Sequence, residues 1–380
     1  MSELIYTNDG DEDVRWRLLA GVSILALSLN TAGAECARAE DADKPAVWIE
    51  LGGQLSRIEG GQEIFAPEIL KGRPSIFSPS QKFEQPPRYG FDEAAAISIE
   101  PGHAGWVFSA SVHYGRAKSN NHVLQQTSPE PFEGIVQKYP VAHKFAETTA
   151  RNNEQHAVVD FAVGKDVGLG LFGKGDSTSV ISAGVRFAQF ASKTNISLKS
   201  NPDWKFNTKY STALHITITN GQPFRSNLAT MTAERSFHGI GPSLSWRASE
   251  PIASDSRDGA IMLDWGLNAA ILFGRQKAQT HHQTTQRSLP GNGPILGQPI
   301  VLHTVARLPA TPDQTRSRSV TVPNIGGFAG LSYRYDTAKL SFGYRADFFF
   351  GAMDGGIDAR KTYDRNFYGP YATVSIGLGG

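Results

Sequence analysis

Cysteine is nearly missing from this 380-residue chain, where Cys36 stands alone. A single thiol excludes an intramolecular disulfide framework and any multi-cysteine metal site. Net charge is missing as well: 37 basic and 36 acidic residues leave +1, scattered along the chain. That balance gives neither the basic footprint of a nucleic-acid partner nor an acidic tail. Past the first 34 residues no segment reaches the roughly 18 apolar residues of a membrane helix. Mean hydropathy is only -0.29. No phosphate-cradling glycine loop, activated nucleophile or metal-ligand spacing is found, so the expectation is a non-enzyme without cofactor or metal.

What the chain does have is glycine (39), phenylalanine (21) and tyrosine (11), arranged with period two. The segment 339–350, KLSFGYRADFFF, shows it best. Leu340, Phe342, Tyr344, Ala346, Phe348 and Phe350 share one face of a strand, and Ser341, Gly343, Arg345, Asp347 and Phe349 the other. One face suits lipid and the other water. A tilted strand crosses a bilayer in roughly 9–11 residues, which this segment supplies. Apolar residues diluted one in two along each strand also explain how the hydropathy stays low.

The start of the chain points to export. Arg15 and Arg17 precede an apolar run over 18–29, and Thr31-Ala32-Gly33-Ala34 ends in an Ala-x-Ala site, so 1–34 reads as a signal peptide cleaved after Ala34. The acidic residues Asp9, Asp11, Glu12 and Asp13 do not suit its n-region and point either to a start downstream or to a weaker signal. Cys36 follows the cleavage site, but Glu35 stands where a lipidation signal wants a small residue. Residues 35–45 read as a flexible periplasmic lead-in and 46–380 as the barrel domain.

Alternating segments predict about ten strands, with 8–12 possible: 46–58, 90–99, 105–118, 155–172, a strand around 181–187, 238–247, a strand around 261–273, 326–335, 339–350 and 367–378. The connections between them alternate between short (100–104, 173–176, 249–258, 336–338) and long (60–89, 119–153, 192–235, 277–319, 351–366). A further hairpin is expected within 192–235, where 214–219 alternates and Asn220-Gly221 is a turn signal. Pro242 removes one ladder hydrogen bond, and Lys165 falls on the lipid parity, either snorkelling or marking a bulge. The fold class predicted is therefore all-β, an antiparallel transmembrane β-barrel in the bacterial outer membrane. Short turns and both termini are periplasmic, and long loops are extracellular.

The phrases HAVVDFAVGKDVGLGLFGKG (156–175), SAGVRFAQF (182–190), GIGPSLSW (239–246) and GYRADFFFGAMDGGID (343–358), with the closing FYGPYATVSIGLGG, resemble the Legionella-type major outer-membrane protein family. That resemblance implies a porin-like, pore-forming barrel. Many outer-membrane barrels end in an aromatic residue, whereas this chain closes on Gly377-Leu378-Gly379-Gly380, with Leu378 as a substitute.

Parity sends a charged set inward: Glu50, Asp160, Arg186, Asp264, Arg334, Arg345 and Asp347. These either set the field that a permeating ion meets or pair with each other and fill the barrel. The inward glycines Gly164, Gly184, Gly239, Gly241, Gly330 and Gly343 favour an open lumen, unless they mark strand bends. Aromatic girdles at the membrane interfaces are expected from Trp106, Tyr114, Trp246, Trp265, Phe273, Tyr335, Phe348 and Phe350. Expected partners are outer-membrane lipid, the barrel-assembly machinery, ions or small solutes and a second copy of the chain, with no nucleic acid. The alternatives are a closed surface barrel or adhesin acting through its loops, an outer-membrane hydrolase, and a secreted β-sandwich with its aromatic faces packed into a core. For the hydrolase, His156 and Asp160 lie on one inward parity but too far apart along the strand for a direct hydrogen bond.

Overall fold

Period-two sequence becomes strand throughout the computed structural model, which describes residues 47–60, 88–101, 105–127, 144–168, 177–202, 207–211, 216–220, 224–255, 259–289, 303–307, 314–355 and 362–378. The signal peptide, the lead-in and Cys36 lie outside these residues. The strands are β1 (Val47–Glu59), β2 (Arg88–Ile99), β3 (Trp106–Thr127), β4 (Lys144–Asp166), β5 (Thr178–Pro202), β6 (Asn207–Ser211), β7 (Ile216–Asn220), β8 (Phe224–Asp255), β9 (Gly259–Leu289), β10 (His303–Arg307), β11 (Gln314–Tyr335), β12 (Ala338–Asp354) and β13 (Thr362–Leu378).

Ten of them close into an antiparallel barrel in the order β1-β2-β3-β4-β5-β8-β9-β11-β12-β13, and β13 pairs back on β1 from Val47↔Leu378 to Glu59↔Asn366. Closure removes every sheet edge within the ring, which a β-sandwich cannot do. β10 adds to the far part of β9, and β6 and β7 pair as a separate hairpin. In that hairpin Asn220 opposes Asn207 at the far end from the turn, so Asn220 ends the second strand instead of standing in the turn.

Val47 and Leu378 lie at the end of the barrel that carries the short connections, including the two-residue turn at Asp336 and Thr337. Asp336 adopts φ 52°, the left-handed geometry that a tight hairpin needs and an Asp tolerates. At the neighbouring turn Asp166 Oδ1 accepts hydrogen bonds from the backbone N–H of Gly168 (2.9 Å) and Ser179 (3.0 Å), so β4 stops at Asp166 and not at 172.

At the other end the strands outrun the sequence reading. Much of 119–153, 192–235 and 277–319 is ladder, with β8 running for 32 residues and β9 for 31. Membrane crossing needs roughly a third of that. Beyond the lipid the outward face meets water as well, so side-chain alternation fades while the backbone ladder continues. The taller wall is β3-β4-β5-β8-β9-β11: β2 leaves β3 at Gly90↔Ala117, and β12 leaves β11 at Asn324↔Phe349.

The outer surface carries a belt of exposed large apolar side chains, among them Leu51, Phe108, Val185, Leu244, Leu267, Leu331, Phe342 and Val374, with Leu267 at 58% exposure. A water-soluble protein rarely leaves so much contiguous apolar surface unpartnered. The aromatic faces therefore point away from the interior, which overturns the sandwich alternative. Pro242 is accommodated by omitting two pairs: β8 meets β9 at Ile240↔Phe273 and again at Ser243↔Ala270, without a change of register. Lys165 keeps register opposite Trp106 with its Nζ 5.7 Å from the indole ring, so no bulge is needed there.

Candidate functional site in the barrel lumen

The inward faces meet in the lumen, and it is layered. Nearest the short turns, Lys339 Nζ reaches Asp264 Oδ2 at 2.7 Å, and Ser249 Oγ donates to Asp264 Oδ1 at 2.5 Å. Ser375 Oγ donates to Glu50 Oε2 at 3.2 Å, and the Arg334 guanidinium lies 5.1 Å from the centre of the Trp48 ring. In the middle layer Arg186 forks onto Asp160, Nε to Oδ1 at 2.7 Å and Nη2 to Oδ2 at 3.0 Å. Its Nη1 also donates to Asn268 Oδ1 at 2.6 Å and to Asn324 Oδ1. Arg345 donates from Nε to Asp347 Oδ2 at 2.8 Å and from Nη1 to His113 Nε2 at 2.8 Å.

Four of the seven expected inward charges, Asp160, Arg186, Arg345 and Asp347, thus converge as two ion pairs. Asp264, Glu50 and Arg334 sit in the layer below. Three contributors were not singled out from sequence, although parity carries each of them inward: His113 between Val112 and Tyr114, Lys339 at the head of β12, and Arg247 after the run Gly239, Gly241, Ser243, Ser245.

Above the charges lies a dry layer. Phe190 (β5), Phe237 (β8), Phe349 (β12) and Phe367 (β13) are each at most 5% exposed. Phe190 stacks on Phe237 at 5.6 Å, meets Phe349 edge-on at 4.8 Å and contacts Phe367 at 5.4 Å. Because β5 and β13 face each other across the ring, the Phe190–Phe367 contact spans the lumen. Ile58, Ala117, Val158, Leu272 and Val322 are among the other members of the cluster, so nine of the ten barrel strands contribute to one septum.

This layer changes the reading of the inward Gly239, and Gly274 on the next strand faces the same ring. A Cβ at Gly239 would stand 2.6 Å from Phe237 Cζ, and one at Gly274 2.8 Å from Phe237 Cε2. Glycine there gives a flat floor to the ring that blocks the lumen, so it does not open space as the sequence suggested. Likewise a Cβ at Gly343 would stand 2.8 Å from the Tyr371 ring.

At the edge of the septum Asp92 Oδ2 accepts from Ser56 Oγ and lies 3.2 Å from His156 Nε2, all three residues being buried. His156 rests on Phe367, ring centroids 3.9 Å apart. Thus His156 and Asp160 engage different partners, Asp92 and Arg186. The carboxylate stands between serine and imidazole, so the imidazole is not placed to take the serine proton. Above the septum Arg365 Nη2 pairs with Glu154 Oε2 at 2.6 Å, and Arg316 and Arg318 face Asp354. Arg316, Arg318, Asp354 and Arg365 all lie in segments expected as loop that are strand in the structure.

The expected girdle residues face outward. Trp106, Phe273, Tyr335 and Phe350 are exposed, and Tyr114, Trp246, Trp265 and Phe348 are half-buried. Trp246 and Trp265 meet edge-to-face at 4.5 Å, and Trp246 Nε1 donates to Ser179 Oγ at 2.8 Å. Tyr114 accepts a hydrogen bond from Arg116 Nε at 2.7 Å.

No protein-family model and no curated protein matches the sequence. Among solved structures the chain is similar to the transport unit of the autotransporter AIDA-I from Escherichia coli, at 9% identity and TM-score 0.26 over 93% of this chain and 97% of that one. It is similar to the translocator domain of the autotransporter NalP from Neisseria meningitidis, at 9% identity and TM-score 0.21 over 97% and 98% of the two chains. A third is a monoaromatic hydrocarbon channel, a TodX deletion mutant, at 8% identity and TM-score 0.20 over 90% and 91%.

Proposed function

We propose that this chain is an outer-membrane barrel of the pore-forming class, with its conduction path interrupted by the phenylalanine septum. Ions or small hydrophilic solutes pass when that septum is displaced. The observation that carries the reading is the pairing of an apolar outer belt with a polar, charged inner wall. Polar interiors occur in water-filled and in plugged barrels alike, and the cavity left beside Arg247 and Arg345 below the septum favours the water-filled kind. The even strand number, with both barrel ends beside the short turns, supports periplasmic termini. Lipid is the partner of the belt, and the barrel-assembly machinery the partner for insertion. The strand phrases resembling the Legionella-type major outer-membrane proteins support the same class. The reading is non-enzymatic, in keeping with the Ser56–Asp92–His156 order.

One observation favours a second reading, a closed barrel acting through its outer wall: β8 and β9 continue well past the apolar belt. Single-channel recording separates the two, using detergent-purified protein whose folding is checked by heat-shifted gel mobility. Discrete steps from the wild type, or from Phe190→Ala and Phe349→Ala variants of a silent wild type, support the pore. Silence from all three folded proteins supports the closed barrel.

A further inference from the structure

The two ion pairs of the middle layer leave one guanidinium over. Arg186 is matched by Asp160 and Arg345 by Asp347, whereas Arg247 makes no hydrogen bond or ion pair with any described residue. It is nonetheless exposed, and since parity turns it inward, that exposure is to water in the lumen below the septum. The lumen carboxylates Glu50 and Asp160 are themselves engaged, by Ser375 and Arg186.

Arg247 borders a cavity that it shares with Arg345, His113, Ser111, Ser245, Asn268 and the Asp160 carboxylate, whose charge is met by Arg186. In the strand register the row Arg247, Gly266, Phe328, Arg345 crosses three neighbouring pairs, so Gly266 and Phe328 lie between the two arginines and Gly266 adds no side chain beside Arg247. A Cβ at Gly266 would stand 2.5 Å from Phe328 Cε1. The cavity holds about 50 Å³, counted by the centre of a water-sized sphere. That is more than a single water needs and leaves room for a small ligand.

We propose that this cavity is a binding site for a small carboxylate anion, with the Arg247 guanidinium as its principal ligand and serine hydroxyls completing the cradle. A guanidinium presents parallel N–H donors in the spacing of the two carboxylate oxygens, and its charge is the one not already neutralised by a neighbour. The hydroxyls of Ser111 and Ser245 donate to the same anion, while Arg345 is held in place by Asp347 and His113. The site lies below the septum, so occupancy does not depend on conduction.

Saturation-transfer NMR with formate on the folded, detergent-solubilised barrel tests this. Formate is expected to receive saturation from the wild type, with affinity at least about tenfold weaker in Arg247→Gln. Arg275→Gln, which removes a charge from the outer face of β9, is expected to bind as the wild type does. No transfer from folded wild type overturns the site, as does unchanged transfer in Arg247→Gln or an equal loss in Arg275→Gln. A second readout needs no variant. Methylglyoxal modification of Arg247, followed by mass spectrometry, is expected to slow when formate is present, and protection absent at Arg247 overturns the proposal. Formate binding in a barrel that never conducts leaves the site standing while the pore reading falls, so the two failures are distinguishable.

Discussion

Arg365 of β13 and Glu154 of β4 form an ion pair inside the barrel, 2.6 Å from Nη2 to Oε2, with side chains only 2% and 3% exposed. Glu154 also accepts from Asn152 Nδ2 at 2.9 Å and from Ser192 Oγ at 3.2 Å, and Arg365 Nη1 donates to the Gly60 carbonyl at 3.0 Å. Two charges this far from water hold only while each satisfies the other. Arg365→Met removes the buried cation that faces Glu154 and is expected to cost about 3–5 kcal/mol. Adding Glu154→Gln is expected to recover part of that loss. Urea unfolding of the single and double variants in detergent checks the order.

The septum depends on ring volume. Phe349→Ala removes a fully buried ring that Phe190 meets edge-on. Large-to-small changes of this kind cost about 3–5 kcal/mol, less where the site collapses. Lower unfolding resistance together with larger or more frequent conductance steps is expected. Lower resistance without any gain in conductance would mean that the remaining rings close over the gap.

The belt makes a depth-dependent prediction. Leu267→Arg, at a strongly exposed outward position among apolar neighbours, is expected to destabilise the inserted barrel by about 2–4 kcal/mol. Lys193→Leu lies on the same outer surface beyond the belt, where Lys193 pairs with Glu234 at 2.8 Å, and is expected to change stability little. Vesicle-inserted folding yields of the two variants, compared with the wild type, test where the lipid boundary falls.

Gly115 is required by what lies across from it. A Cβ there would stand 1.9 Å from Asp92 Oδ1 and 2.4 Å from His156 Cε1. Gly115→Ala is therefore expected to push the pair apart and cost about 1–3 kcal/mol as overpacking, read out as a lower unfolding midpoint. Asp92→Ala in the same background relieves the clash, so the two substitutions are expected to be non-additive.

Within the belt the strands were legible in the sequence almost residue for residue. Lipid on one side and charge on the other force alternation in 339–350 and 367–378, and β12 and β13 run through both segments. The extensions were not legible. Where β5 continues through Lys193, Thr194 and Asn195, both faces are polar, and only pairing such as Thr194↔Asn152 on β4 makes the segment a strand. Parity also sorted Arg186 and Asp160 to the interior but could not show that they pair, because their contact depends on the β4–β5 register.

The sequence by itself determined the fold class, the faces and the inward charges, since each follows from the side-chain period of an extended chain. Tertiary structure alone decided that the lumen is divided. Phe190 and Phe237 sit in or beside segments without a clear pattern, and only ring closure brings Phe190 against Phe367 from the opposite wall. Whether inward glycines leave space or receive a ring is settled in the same way. A local period reports which way a residue points, while barrel curvature and register fix what it meets.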